Sequence, residues 1–214
     1  MNAQWIRAGA IGAFVAAGFL VVQFAIGSTL GSDLILLESS FDVARVAAFL
    51  QAHAATLTQL MVADDLFVIG YSVSFVGIAL YLAPRNRLLA LVGLGLALLT
   101  SATDFTENSL TIALTRLATQ GATLQADWLL VLQILGQLKY LWIFAGGTLS
   151  AIGIWNERRM NRAVAILFWL FPLVGAFAML NVTGALLRIF WMLVLLLAGG
   201  IFLWRESGQR IKSG

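Results

Sequence analysis

The chain has 214 residues, 61% hydrophobic and 11% charged, with a mean hydropathy of +0.94. A soluble domain is roughly half apolar and a quarter charged, so the composition excludes that class and reads as a polytopic membrane protein with little left for a separate soluble domain. The net charge of +3 comes from basic residues in short inter-helix segments, so it reports topology rather than nucleic-acid binding, and the absence of cysteine excludes disulfides, thiolate nucleophiles and cysteine-ligated metals.

Segment one runs over about 7–27 and is apolar enough to span. Gly9, Gly12, Ala13, Ala17 and Gly18 give it small-residue surfaces for close helix packing. No small-residue cleavage site follows it, so it reads as a retained anchor rather than a removed signal. Residues 28–59 form a long, mostly acidic connection with Asp33, Glu38, Asp42, Arg45 and His53. Within it, Ser39-Ser-Phe-Asp42 looks like a helix start. The residues that follow predict an interfacial helix over about 41–58, which bends into segment two.

Segment two, about 60–82, opens with Asp64 and Asp65 and carries Tyr71, Ser72, Ser74 and Tyr81. Pro84 stops it in a tight basic turn, Ala83-Pro-Arg-Asn-Arg87. Segment three spans about 88–112 and continues toward Gln120-Gly-Ala-Thr. At about 1.5 Å per residue it outruns the hydrocarbon layer. Its Thr100, Asp104, Glu107, Asn108, Thr111 and Thr115 fall at i, i+4, i+7, i+8, i+11 and i+15, one polar face of a helix. Lipid offers such a face no partners, so it needs protein or water.

Segment four, about 128–155, carries Gln133, Gln137 and Tyr140 on one stripe, with Lys139 off that stripe near mid-depth. A basic loop, Asn156 to Arg162, leads to segment five at about 163–180. Pro172 inside that segment predicts a kink. A minimal turn, Asn181-Val-Thr-Gly184, leads to segment six at about 185–204, with Arg188 one turn in. The chain thus reads as all-α, a single six-helix transmembrane bundle with an interfacial helix between spans one and two. Basic residues in the Arg85/Arg87 turn, the Arg158/Arg159/Arg162 loop and the Arg205/Arg210/Lys212 tail place both termini in the cytoplasm of an inner-membrane protein.

With that topology Asp64, Asp65, Asp104, Glu107 and Asn108 converge with Lys139 and Arg188 on the outer half of the bundle, near Tyr71, Gln133 and Gln137. A lone charge at mid-membrane costs a few kcal/mol on insertion scales. These groups can pair internally as helix glue. Four carboxylates against two cations leave a surplus of acid, which suggests a bound cation, a cationic or amphiphilic ligand head, or a shared proton. Carboxylates with His53 suit Mg²⁺, Ca²⁺ or Mn²⁺ by oxygen chemistry, but no spacing matches a ligand motif; neither metal nor cofactor is expected. Lys139 suits pairing with a carboxylate better than a Schiff-base role. No nucleophile-elbow, zinc-protease or phosphate-loop motif is present.

In layout, with Asp104-Phe-Thr-Glu107-Asn108 ending the third span and Asp64-Asp65-Leu-Phe67-Val-Ile-Gly-Tyr71 before it, the chain resembles the small bacterial membrane proteins grouped as DUF4386-like. The proline-led start of span five associated with that group is missing. The resemblance implies a six-span fold in the membrane and carries no activity with it.

Three functions compete at this level. One is a binding or transport protein with an outward-facing acidic site, although no internal repeat of the alternating-access kind is visible. Another is an accessory subunit docked on a larger membrane complex or on a second copy of itself. The third is an intramembrane enzyme using a carboxylate pair, with membrane lipid as its partner.

Overall fold

The computed structural model describes residues 3–31, 34, 37, 40–156, 158–178 and 182–212. Asp33, Glu38, Ser39 and Asn181 lie outside the described residues, so the acidic connection, its helix start and the minimal turn are seen only in part. The described residues form seven helices: α1 (Ala3–Ser28), α2 (Val43–Ala52), α3 (Ala54–Leu82), α4 (Arg87–Thr119), α5 (Ala126–Ile154), α6 (Arg159–Ala178) and α7 (Val182–Lys212). Six of them are long and apolar enough to cross a bilayer. The protein is an all-α, multi-pass integral membrane protein.

The six long helices close into a ring. In space the order is α1, α3, α4, α5, α6, α7, with α7 returning to α1. Helix α3 also touches α5 and α7 across the ring. It is accordingly the most enclosed, with 61% of its apolar stretch buried against 17–39% for the other spans. Small residues set this position. A Cβ on Gly9 of α1 would stand 2.6 Å from the Gly77 Cα of α3, and one on Gly70 would stand 2.8 Å from the Ala16 nitrogen. Between lipid-solvated helices there is little hydrophobic drive, so backbone contact of this closeness supplies van der Waals attraction instead. Gly18, which the small-residue pattern groups with these, meets nothing.

Several boundaries differ from the sequence reading. Helix α3 opens at Ala54 rather than near residue 60, because Thr56, Thr58 and Gln59 lower hydropathy without breaking a helix; the Thr58 hydroxyl donates to the Ala54 carbonyl at 2.8 Å. Helix α2 is shorter than the expected 41–58. Asp42 caps it, accepting from the Arg45 N–H at 3.1 Å. It ends where His53 leaves helical geometry. Two backbone hydrogen bonds hold the bend: His53 donates to Phe49 at 3.0 Å and accepts from Leu57 at 2.9 Å. Val46, Phe49 and Leu50 of α2 join Leu57, Leu114 and Leu129 in a second apolar cluster, so α2 closes one end of the ring.

Helix α4 begins on an Asn86 cap and ends in a Schellman turn: Gly121, at φ 73°, lets Ala122 donate to Leu117 and Gly121 to Ala118. Helix α6 starts at Arg159 and runs through Pro172, which deprives the Phe168 carbonyl of its helical donor. The Trp191 indole of α7 donates to the adjacent Leu167 carbonyl at 3.1 Å and ties α7 to that stretch. Helix α7 starts at Val182 and continues to Lys212, beyond the expected 204.

Candidate functional site

Inside the ring lies a cavity of about 620 Å³. It reaches from Gly27 and Ser28, at the end of α1 away from the Arg85/Arg87 turn, past Thr100 and Gly199 in mid-helix to Ile78, about one turn from the end of α3. Its walls are largely apolar, with Phe67, Phe75, Phe168, Phe171, Met192 and Leu195 among them. Asp64, Tyr71, Asp104, Glu107, Asn108, Lys139 and Arg188 also line it.

The polar residues form three groups. In the first, the Lys139 ammonium stands between two carboxylates of α4, 2.9 Å from Asp104 Oδ1 and 2.7 Å from Glu107 Oε2. The spacing of Asp104 and Glu107, i and i+3, puts both on the turn of α4 that meets Lys139. The Tyr71 hydroxyl donates to the other Asp104 oxygen at 2.9 Å. Asp104 therefore has a partner on each oxygen, from α5 and from α3.

In the second group the Asn108 amide donates to Asp64 Oδ2 at 2.7 Å and to Asp65 Oδ1 at 2.9 Å. One NH₂ thus serves two carboxylates from adjacent positions on α3. Asn108 neutralises neither. Because α3 opens at Ala54, Asp64 lies ten residues into it, about 15 Å along the axis, rather than one turn from its end. The third group is Arg188, whose guanidinium lies over the Tyr140 ring, 4.1 Å from its centroid. Arg188 is 9% exposed, and among the described residues no carboxylate lies within ion-pair distance of it. Arg188, expected beside the acids, stands apart from them.

The remaining expected residues fall elsewhere. Gln133 donates to the Ser40 carbonyl at 3.0 Å and fastens the connection before α2. Gln137 is exposed and does not line the cavity. The glutamine stripe of α5 is thus not the face turned to α4. That face carries Gly136, Lys139 and Gly146; a Cβ on Gly136 would sit 3.5 Å from Glu107 Oε1, and one on Gly146 3.3 Å from the Gly93 carbonyl. Glycines at i−3 and i+7 from Lys139 were the available signal. His53 packs on Phe49, with ring centroids 5.0 Å apart. Among the described residues no three histidine or acidic side chains gather as metal ligands. Gln23 of α1 also lines the cavity, and its Nε2 is buried with no acceptor among the described residues. It is the one amide in the apolar run of segment one, a signal the sequence reading passed over.

No protein-family model matches the chain, and neither a curated protein nor a solved structure matches it.

Proposed function

We propose that the protein binds, and in a transport cycle passes, a small amphiphile whose cationic head rests against the carboxylates of α3 and α4 while its apolar part fills the cavity. One observation carries the reading: Asp104 and Glu107 both meet the Lys139 ammonium, Asp64 and Asp65 share the neutral Asn108 amide, and among the described residues Arg188 lies within ion-pair distance of no carboxylate. Three carboxylates, Asp64, Asp104 and Glu107, line a cavity with room for a ligand, and among the described residues Lys139 is the one cation within ion-pair distance of any of them. About 620 Å³ falls within the usual range of small-molecule sites, roughly 300–1,000 Å³. Mostly apolar walls with a few convergent polar groups are also the usual character of such sites.

The orientation belongs to the same proposal. Arg7 stacks on Trp204, Arg158 bonds Glu206, and Arg205 meets Met160, so the basic turns and both chain ends gather at one end of the bundle. By the positive-inside rule that end faces the cytoplasm of an inner membrane, and the cavity lies toward the outside.

The test uses purified protein in a neutral detergent, with a single-chain alkylammonium and an uncharged amphiphile of equal chain length as probes. The alkylammonium should raise the melting temperature of the unmodified protein and the uncharged probe should not. Asp64→Asn and Glu107→Gln should abolish the rise while leaving the ligand-free melting temperature in place. Equal stabilisation of both variants would refute an acidic site. Stoichiometric co-purification of one membrane protein, with no response to either probe, would favour the accessory-subunit reading instead.

A further inference from the structure

The cavity has a second polar wall, of opposite character. Arg188 lines it from α7 and Gln23 from α1. A guanidinium has a π face and five N–H donors in its plane. The face of Arg188 is used on Tyr140, at 4.1 Å. No carboxylate among the described residues reaches its edge, and the side chain is 9% exposed. Gln23 adds Nε2, buried and with no acceptor among the described residues. A cation with open donors in an apolar chamber costs several kcal/mol unless something accepts from it. Internal neutralisation would have been available, since Asp64, Asp104 and Glu107 line the same cavity, yet they are held on Lys139 and Asn108 instead. The cavity thus presents acceptors on α3 and α4 and open donors on α7 and α1.

We propose that the ligand is zwitterionic, with a carboxylate or phosphate held by Arg188 and Gln23 and an ammonium held by Asp64 and Glu107. This rests on the cavity-binding reading above and narrows its ligand class. A planar guanidinium suits a two-oxygen anion, since two parallel N–H groups can meet two oxygens. Two sources share this chemistry: a zwitterionic lipid headgroup and a water-soluble zwitterion.

The experiment compares three probes by native mass spectrometry and thermal shift: lysophosphatidylethanolamine, free phosphoethanolamine, and an alkylammonium of matched chain length. The unmodified protein should bind lysophosphatidylethanolamine tighter than the alkylammonium. Arg188→Met should weaken the zwitterion by roughly tenfold or more, because an anion loses its only charged partner, and should leave the alkylammonium unchanged or tighter. Gln23→Leu should act in the same direction by a smaller factor, and it decides the question if Arg188→Met fails to fold. Arg188-dependent binding of phosphoethanolamine alone would support the proposal with a soluble source; a requirement for the acyl chain would support it with a lipid source. If both variants bind the zwitterion as tightly as the unmodified protein while the alkylammonium still binds, the proposal is wrong and the acidic cavity stands. If no probe binds at all, the cavity reading fails and this inference falls with it.

Discussion

The two ends of the helical ring both contain buried polar residues, and they use them differently. At the basic end the buried groups Tyr81, Asn161 and Glu206 are packed among apolar side chains, while Arg158, the partner of Glu206, stays mostly exposed. Asn161, fully buried, donates to the Tyr81 hydroxyl at 2.9 Å, and Tyr81 also meets Arg85. Arg158 reaches the buried Glu206 at 3.2 Å and Gln209 at 2.8 Å. Ile6, Leu82, Ile154, Phe202 and Leu203, each no more than 1% exposed, fill the space around them. At the other end, among the described residues, Lys139 is the one cation in ion-pair contact with the acids, and a cavity stands beside them. Polar groups that serve as glue between membrane helices are closed off by packing. Groups left with a charge imbalance beside open volume have the form expected of a site. Burial alone does not separate the two cases; stoichiometry and free volume do.

Substitutions can break this contrast, and the largest effect should come from Lys139→Met. It leaves Asp104 and Glu107 facing each other without the ammonium, and breaking a buried pair from one side costs about 3–5 kcal/mol. Equilibrium unfolding in mixed micelles should show it, and a loss below 1 kcal/mol would place Lys139 in water rather than between the two acids. Next is Gly77→Leu, which drives a side chain into the Gly9 backbone and should destabilise by about 1–3 kcal/mol or more. Gly95→Ala, at a position where a Cβ meets nothing, is its control and should be neutral or slightly stabilising. Tyr81→Phe at the closed end should cost about 1–2 kcal/mol, because the Asn161 amide loses its buried acceptor. That variant should leave alkylammonium binding untouched. The smallest effect is expected for Glu107→Gln, within about 0.5 kcal/mol in the absence of ligand, since Asp104 and Lys139 remain as a one-to-one pair. A large loss there would move the cavity acids into the same class as Glu206.

The fold was largely legible because hydropathy and length decide spans in a membrane protein. The polar face of α4 was legible too, since Asp104 and Asn108 at i and i+4 both turn inward and are buried. Other features depended on helix rotation, which hydropathy does not report. Gln133 and Gln137 formed the obvious stripe on α5, yet Lys139 beside them is the residue that meets α4, because Gly136 and Gly146 set the contact face. The depth of Asp64 is hidden in the sequence because Thr56, Thr58 and Gln59 at the start of α3 look like a connection in a hydropathy profile. The separation of Arg188 from the acids was not legible at all, since it depends on ring order, which places α7 beside α1 and α6 rather than against α4.

The most direct measurement is carbodiimide labelling of the carboxylates, mapped by peptide mass spectrometry on the protein in neutral detergent. Asp64 and Glu107 should react when no ligand is present and should be protected by the alkylammonium amphiphile but not by its uncharged counterpart, with Glu206 unreactive throughout. Labelling of Asp64 and Glu107 that is unaffected by the cationic probe, or a lack of reaction matching that of Glu206, would contradict an open acidic site in this bundle.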